Sequence, residues 1–246
     1  VNLFGAGFAW ILAPRHWVTT AEGSGIGDAL VHHLFLTAVS VLITVVIAGP
    51  LGLYIGHTGR FRRVAIGASN AARALPTLGL LSALILLLGI GDVPPVVVLV
   101  VLGIPPLLAG AYAGLESLDR QTIDAARAVG MTEFQILRKV EIPLAAPLLL
   151  GGLRAAALQI VATVALASVF GLQSLGTFII DGLAQADYVK MTAGAILVAA
   201  LALLLDGVLA VVQRLVGPRG VSRGTDRHRT TARDGKKPVA LTQDAH

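Results

Sequence analysis

Polar residues are so sparse along this chain that the apolar stretches between them set its organisation. Five runs stand out: Leu34 to Gly56, Ala74 to Gly91, Val93 to Leu115, Pro143 to about Leu172, and Val189 to Val216. Each comes close to the roughly 20 apolar residues that carry a helix across a bilayer core of about 30 Å. Lipid offers the backbone no hydrogen-bond partners, so a spanning run satisfies its own groups as a helix. No alternating ten-residue pattern points to a barrel. The pattern predicts an all-α, polytopic integral membrane protein of about five transmembrane helices.

Punctuation within the runs refines this. The second helix is expected to begin near Ala71 and to run through Leu75-Pro76-Thr77 to Gly91. The short turn Gly91-Asp92-Val93-Pro94-Pro95 then makes it an antiparallel neighbour of the third. In the third, Ile104-Pro105-Pro106 predicts a kink or break, because two amide donors are missing and the rings clash with the preceding turn. Such an interruption either lines a substrate path or is a packing kink that neighbours repair. The fourth carries Arg154 about eleven residues in, roughly 16 Å along its axis. A charge that deep is costly unless paired or hydrated. Arg154 and Asp206 of the fifth helix are therefore expected to face the interior and pair, an ion relay being the other reading. Together with Pro76, Pro105, Pro106 and Tyr112 they form the expected lining of a translocation path.

One segment breaks the oily pattern. Asp119 has the place of an N-cap for a short helix on which Ile123, Ala126 and Val129 fall near one stripe, and Gly130 stops it. Thr132 and Gln135 have the spacing of a capping box for a second helix carrying Phe134, Ile136 and Leu137, and Pro143 is expected to close the unit. The result is two amphipathic pieces joined by a glycine bend.

The flanks read differently. Leu3 to Ala13 is too short to span and, with Trp10 and Trp17, is expected to lie at the outer interface. No positive charge precedes it, so it is not expected to be a cleaved signal. His32 and His33 are read as membrane-edge residues or a metal half-site. Phe170 to Leu183 reads as an outer loop packed on the membrane face. The chain thus divides into an N-terminal segment (1–28), a membrane domain (29–217) containing the polar loop 119–142, and a basic tail (218–246) expected to be disordered against anionic lipid.

Charge orients the helices. The chain has 19 Lys and Arg against 14 Asp and Glu, a net charge of +5. They sit at membrane edges and in the tail, so lipid headgroups rather than nucleic acid are the expected partner. Arg60, Arg62, Arg63, Arg73, then Arg120, Arg127, Arg138, Lys139, then the tail fall on one side, against Arg15 and Lys190 on the other. The positive-inside rule places the N-terminus outside, and the C-terminus and polar loop in the cytoplasm. There is no cysteine, which removes disulfides, thiolate metal sites and cysteine nucleophiles.

Asp124, Ala125, Ala126, Gly130, Val140, Ile142 and Pro143 reproduce the spacing of the EAA loop, and the chain resembles ABC-importer permeases on that account. Asp124 stands where that family usually has Glu. The resemblance implies the type I importer permease fold and a loop, including Glu133, that couples to a cytoplasmic ATPase subunit. It also implies a second permease copy or paralogue and an extracytoplasmic binding protein. No Gly-x-x-x-x-Gly-Lys-Ser/Thr phosphate loop is present, so ATP and Mg are expected on the partner ATPase, with no cofactor and no catalysis on this chain. Ala74-Leu-Pro76-Thr-Leu-Gly79, Leu88-Gly89-Ile90-Gly91 and Gly194-Ala-Ile-Leu-Val198 are similar to the glycine betaine/choline/carnitine branch. Gly171-Leu-Gln-Ser-Leu-Gly176 departs from that branch's Gly-Ala-Gly-Gly-Leu-Gly. A small osmoprotectant (glycine betaine, choline, carnitine or proline) is the implied substrate; methionine or another amino acid is the alternative within the class. An ion-coupled secondary carrier and a non-transporting scaffold are the rivals outside it.

Overall fold

The computed structural model describes residues 2–20 and 24–216; the basic tail expected over 218–246 lies outside the described residues. The helices are α1 (Leu3–Leu12), α2 (Ile26–Thr58), α3 (Arg62–Ala74), α4 (Thr77–Leu88), α5 (Val93–Glu116), α6 (Arg120–Ala128), α7 (Glu133–Ile136), α8 (Ile142–Val164), α9 (Thr177–Ala184) and α10 (Tyr188–Val216). A π-helical turn, Leu137–Glu141, joins α7 to α8, and a 3-10 turn, Ala165–Phe170, follows α8. Four runs are long and apolar enough to cross a membrane: α2, α5, the continuous stretch Glu133–Phe170, and α10. The chain is a multi-pass, all-helical membrane protein.

α5 stands at the centre, packed between α2 and α8. Its Leu99 meets Leu36 of α2 and Ile160 and Val164 of α8 in one buried cluster. Leu107 and Leu108 join Ala48 and Ile55 of α2 in another. In lipid such contacts gain nothing from leaving water, so close packing and dispersion hold the helices together. α5 and α8 approach until their backbones touch: a Cβ built on Gly110 would lie 2.6 Å from the Cα of Gly152. Only glycine on both helices permits that crossing.

Three expectations about the spans change. The second span is two helices, α3 and α4, bent by 85° at Leu75-Pro76. Leu75 is extended (φ −66°, ψ 130°), as a residue preceding proline prefers, and Pro76 caps α4 without a donor to continue α3. α4 has 12 residues, about 18 Å at 1.5 Å per residue, too short to cross alone. Conversely, α5 does not break at Pro105-Pro106; it stays helical from Val93 to Glu116. Pro105 is buried in the bundle, where packing against both neighbours holds the turn that has lost two hydrogen bonds. Finally, α2 begins at Ile26, eight residues before the apolar run, and is 33 residues long.

The flanking segments contact the bundle. α1 packs along α10, where a Cβ on Gly7 would touch Thr192, Ala193 and Ile196. Trp10 stacks on His16 and meets Phe178 edge-on, 5.6 Å between centroids. The segment after α8 folds into the bundle as a knot of hydroxyls, with Ser174 fully buried and 2.7 Å from Ser168. His33 is fully buried beside it, donating to the Val161 carbonyl at 3.1 Å and receiving the Leu175 amide at 3.4 Å. His32 turns instead to the Gln173 carbonyl and Asp92. The two imidazoles therefore do not form a metal half-site, and among the described residues no cluster of three or more His, Cys, Asp or Glu could hold an ion.

Candidate functional site

The loop between α5 and α8 is specified by its own side chains. Asp119 caps α6 by accepting the Gln121 amide at 3.0 Å. Gly130 ends it with φ +84°: its amide reaches the Arg127 carbonyl at 2.9 Å while the Met131 amide reaches Ala126 at 3.2 Å, the paired bonds of a Schellman motif. Thr132 and Gln135 form the capping box, each side chain bonded to the other's amide, at 3.3 and 2.9 Å. One expectation fails here. Pro143 does not close the unit, because the π turn carries α7 without interruption into α8, and Pro143 lies directly after that turn, inside the continuous stretch Glu133–Phe170.

Burial sorts the loop residues into two sets. Ala126 and Ile136 turn inward and are buried, Val140 and Ile142 are half-buried, and Asp124, Ala125, Gly130, Glu133 and Pro143 are exposed. Val129 leaves the expected stripe with Ile123 and Ala126; it is 78% exposed, and Phe134 across the glycine bend is 69% exposed. Two unpartnered apolar side chains thus crown an otherwise polar tip.

Behind the tip runs a chain of charged contacts. Arg127 reaches Glu133 through two nitrogens, at 2.8 and 3.1 Å, and Asp124 at 3.2 Å. The hydrogen bonds to Glu133 come first among the causes that raise the Arg127 pKa above its ordinary value. Glu133 also faces His57 Nε2 at 3.4 Å, and His57 Nδ1 lies 2.6 Å from Glu141. Glu141 is 6% exposed, so His57 is the partner that makes its burial tolerable. His57, Asp124, Arg127 and Glu141 line a cavity of about 490 Å³ between the ends of α2 and α5 and the root of the loop. No sequence signal pairs His57 with these acids, since neither is near it in the chain.

The residues expected to line a path do not converge. Pro76 is exposed at the α3–α4 bend, Pro105 is buried and Pro106 half-buried in α5, and Tyr112 lines the cavity beside His57. Arg154 and Asp206 pair as expected, through bonds of 2.5 and 2.6 Å, but on the α10 side of α8. Gly152, about 200° away round the same helix, faces α5.

Known proteins share this arrangement. The model of a family described as binding-protein-dependent transport system inner membrane component matches residues 48–219. The glycine betaine/carnitine/choline transport system permease protein OpuCB of Bacillus subtilis is 34% identical over 189 residues, covering 77% of this chain and 87% of the relative. The osmoprotectant import permease protein OsmW of Salmonella typhimurium is 32% identical over 194 residues, 77% of this chain and 90% of its own. Among solved structures, the MetNI methionine ABC transporter in inward-facing conformations aligns with a TM-score of 0.68 at 25% identity, over 78% of this chain and 95% of that one. Matched along most of its length, this chain belongs to the binding-protein-dependent transport system inner membrane components, the permeases of ABC importers.

Proposed function

We propose that the chain imports a small osmoprotectant of the glycine betaine, choline, carnitine or proline type. An extracytoplasmic binding protein delivers the substrate, and a separate cytoplasmic ATPase subunit drives transport. The observation that carries the substrate class is the run of relatives named for these compounds, which cover more than three quarters of this chain at 32–34% identity. The methionine alternative has a fold-level likeness at 25% identity in its favour.

In this reading the loop from Asp119 to Ile142 is the coupling element. Val129 and Phe134 are the apolar contacts it offers the ATPase, and Asp124, Ala125 and Glu133 surround them. Two permease copies, or this chain and a paralogue, enclose the path. ATP-driven closure of the nucleotide subunits draws the two loops together and selects the outward-open packing, into which the binding protein releases its ligand. Of the residues expected along that path, Tyr112 faces the cavity at the root of the loop, Pro76 sets the bend between α3 and α4, and the Arg154–Asp206 pair ties α8 to α10. The loop and the C-terminus lie in the cytoplasm and the N-terminus outside.

Competition among betaine, choline, carnitine, proline and methionine for ATP-dependent uptake tests the substrate; preference for methionine overturns the osmoprotectant class. The absence of cysteine makes an orientation test simple. In Gln121→Cys, an impermeant thiol reagent is expected to label only permeabilised cells, and labelling of intact cells overturns the topology.

A further inference from the structure

We propose that His57, at the last turn of α2, is the joint through which the coupling loop grips the first long span; it is a positioning residue. This rests on the reading of the loop as the coupling element. The ring meets one carboxylate at each nitrogen: Glu133 of α7 at 3.4 Å and Glu141 of the π turn at 2.6 Å. Glu133 is in turn gripped by Arg127, which holds Asp124. A continuous path of polar contacts therefore leads from the exposed loop, through His57, to the root of α8.

Two features argue that the joint is more than neutralisation of a stray charge. The first is the π turn. An added residue in a helical turn rotates the remainder of the helix by about 100° relative to an uninterrupted α-helix, and such turns gather at functional positions. Here that rotation accompanies an inward-facing, buried Glu141 within reach of α2. The second is the cost of the arrangement, since burying polar groups carries a desolvation penalty that an apolar contact of the same size does not. Direction is what it adds. A packed leucine could slide, whereas an imidazole held at two opposite nitrogens ties α2, α7 and α8 at one point. A pull on the loop tip then moves α2 with α8 instead of bending the loop.

The test uses the permease assembled with its ATPase subunit in proteoliposomes, with the binding protein inside the assay. Uptake and ATP hydrolysis are measured together. His57→Gln keeps an N–H donor for buried Glu141 but cannot also reach Glu133. It is expected to assemble, unfold at the wild-type temperature and hydrolyse ATP at an unchanged rate, while substrate moved per ATP falls roughly threefold to thirtyfold. An unchanged ratio overturns the joint. If His57→Gln does not fold, the double variant His57→Leu/Glu141→Leu, which leaves no buried carboxylate without a partner, carries the same expectation and the same overturning result. Gly130→Asp separates the two levels. Normal uptake by that variant sinks the coupling reading itself, whereas lost uptake there beside a normal ratio in the His57 variants sinks only the joint.

Discussion

Arg154 and Asp206, 52 positions apart, meet side by side between α8 and α10, the guanidinium gripping both carboxylate oxygens at 2.5 and 2.6 Å. Gln213 supplements this link by donating to the Pro147 carbonyl at 2.7 Å. Two polar ties thus fasten α10 to α8. Each charge makes the other acceptable where water is scarce.

Removing one partner is worse than removing both, because it leaves a lone charge. Arg154→Leu and Asp206→Leu are each expected to lower the amount of folded permease in the membrane several-fold. The double variant recovers most of it. Quantitative immunoblotting of membranes reads the outcome, and equal levels in all four proteins would show that the pair carries no such weight.

Gly130 has φ +84° and no atom within 4 Å of the Cβ it lacks, so conformation alone opposes a side chain there. The left-handed region costs an ordinary residue about 1–2 kcal/mol, less for Asn and more for β-branched residues. ATP-dependent uptake is expected to fall in the order Gly130→Asn, Gly130→Ala, Gly130→Val, with insertion unchanged. An order that follows side-chain volume alone counts against this account.

Phe134 touches little of its own chain, so Phe134→Asp is expected to leave the thermal unfolding of the permease unchanged. Its association with the ATPase subunit should weaken more than tenfold, as for an aromatic anchor at the centre of an interface. Co-purification at wild-type stoichiometry under dilute conditions would remove Phe134 from the docking surface.

The α5–α8 crossing makes an opposite demand. A Cβ at Gly152 would come within 2.9 Å of the Gly110 Cα and 3.0 Å of the Pro106 carbonyl, both backbone atoms that cannot step aside. Gly152→Ala is expected to cost about 1–3 kcal/mol and Gly152→Val more. Thermal unfolding in detergent measures this; wild-type stability of both would mean that the helices separate freely.

Much of the site was legible before any coordinates. Asp119, Thr132, Gln135 and Gly130 act on backbone groups within about three residues, and their spacing predicted both caps and the bend. The pattern of Asp124, Ala125, Ala126, Gly130, Val140, Ile142 and Pro143 pointed to the family for the same reason: a docking loop of fixed shape keeps fixed intervals. Proline acted differently at its two sites. Pro76, exposed at the end of a short helix, bends the chain by 85°, whereas Pro105 and Pro106, inside the bundle, are held in an unbroken helix.

By itself, then, the order of residues determined which stretches enter the membrane and how the polar loop is capped, since run length and neighbouring side chains settle both. Packing alone decided that α7 flows into α8 through a π turn, that α5 and α8 touch at Gly110 and Gly152, and that His57 finds Glu141 84 positions away. The same holds for Arg154 and Asp206. A hydrogen bond acts over about 3 Å, and which distant groups come that close depends on how whole helices cross, a quantity no local interval encodes.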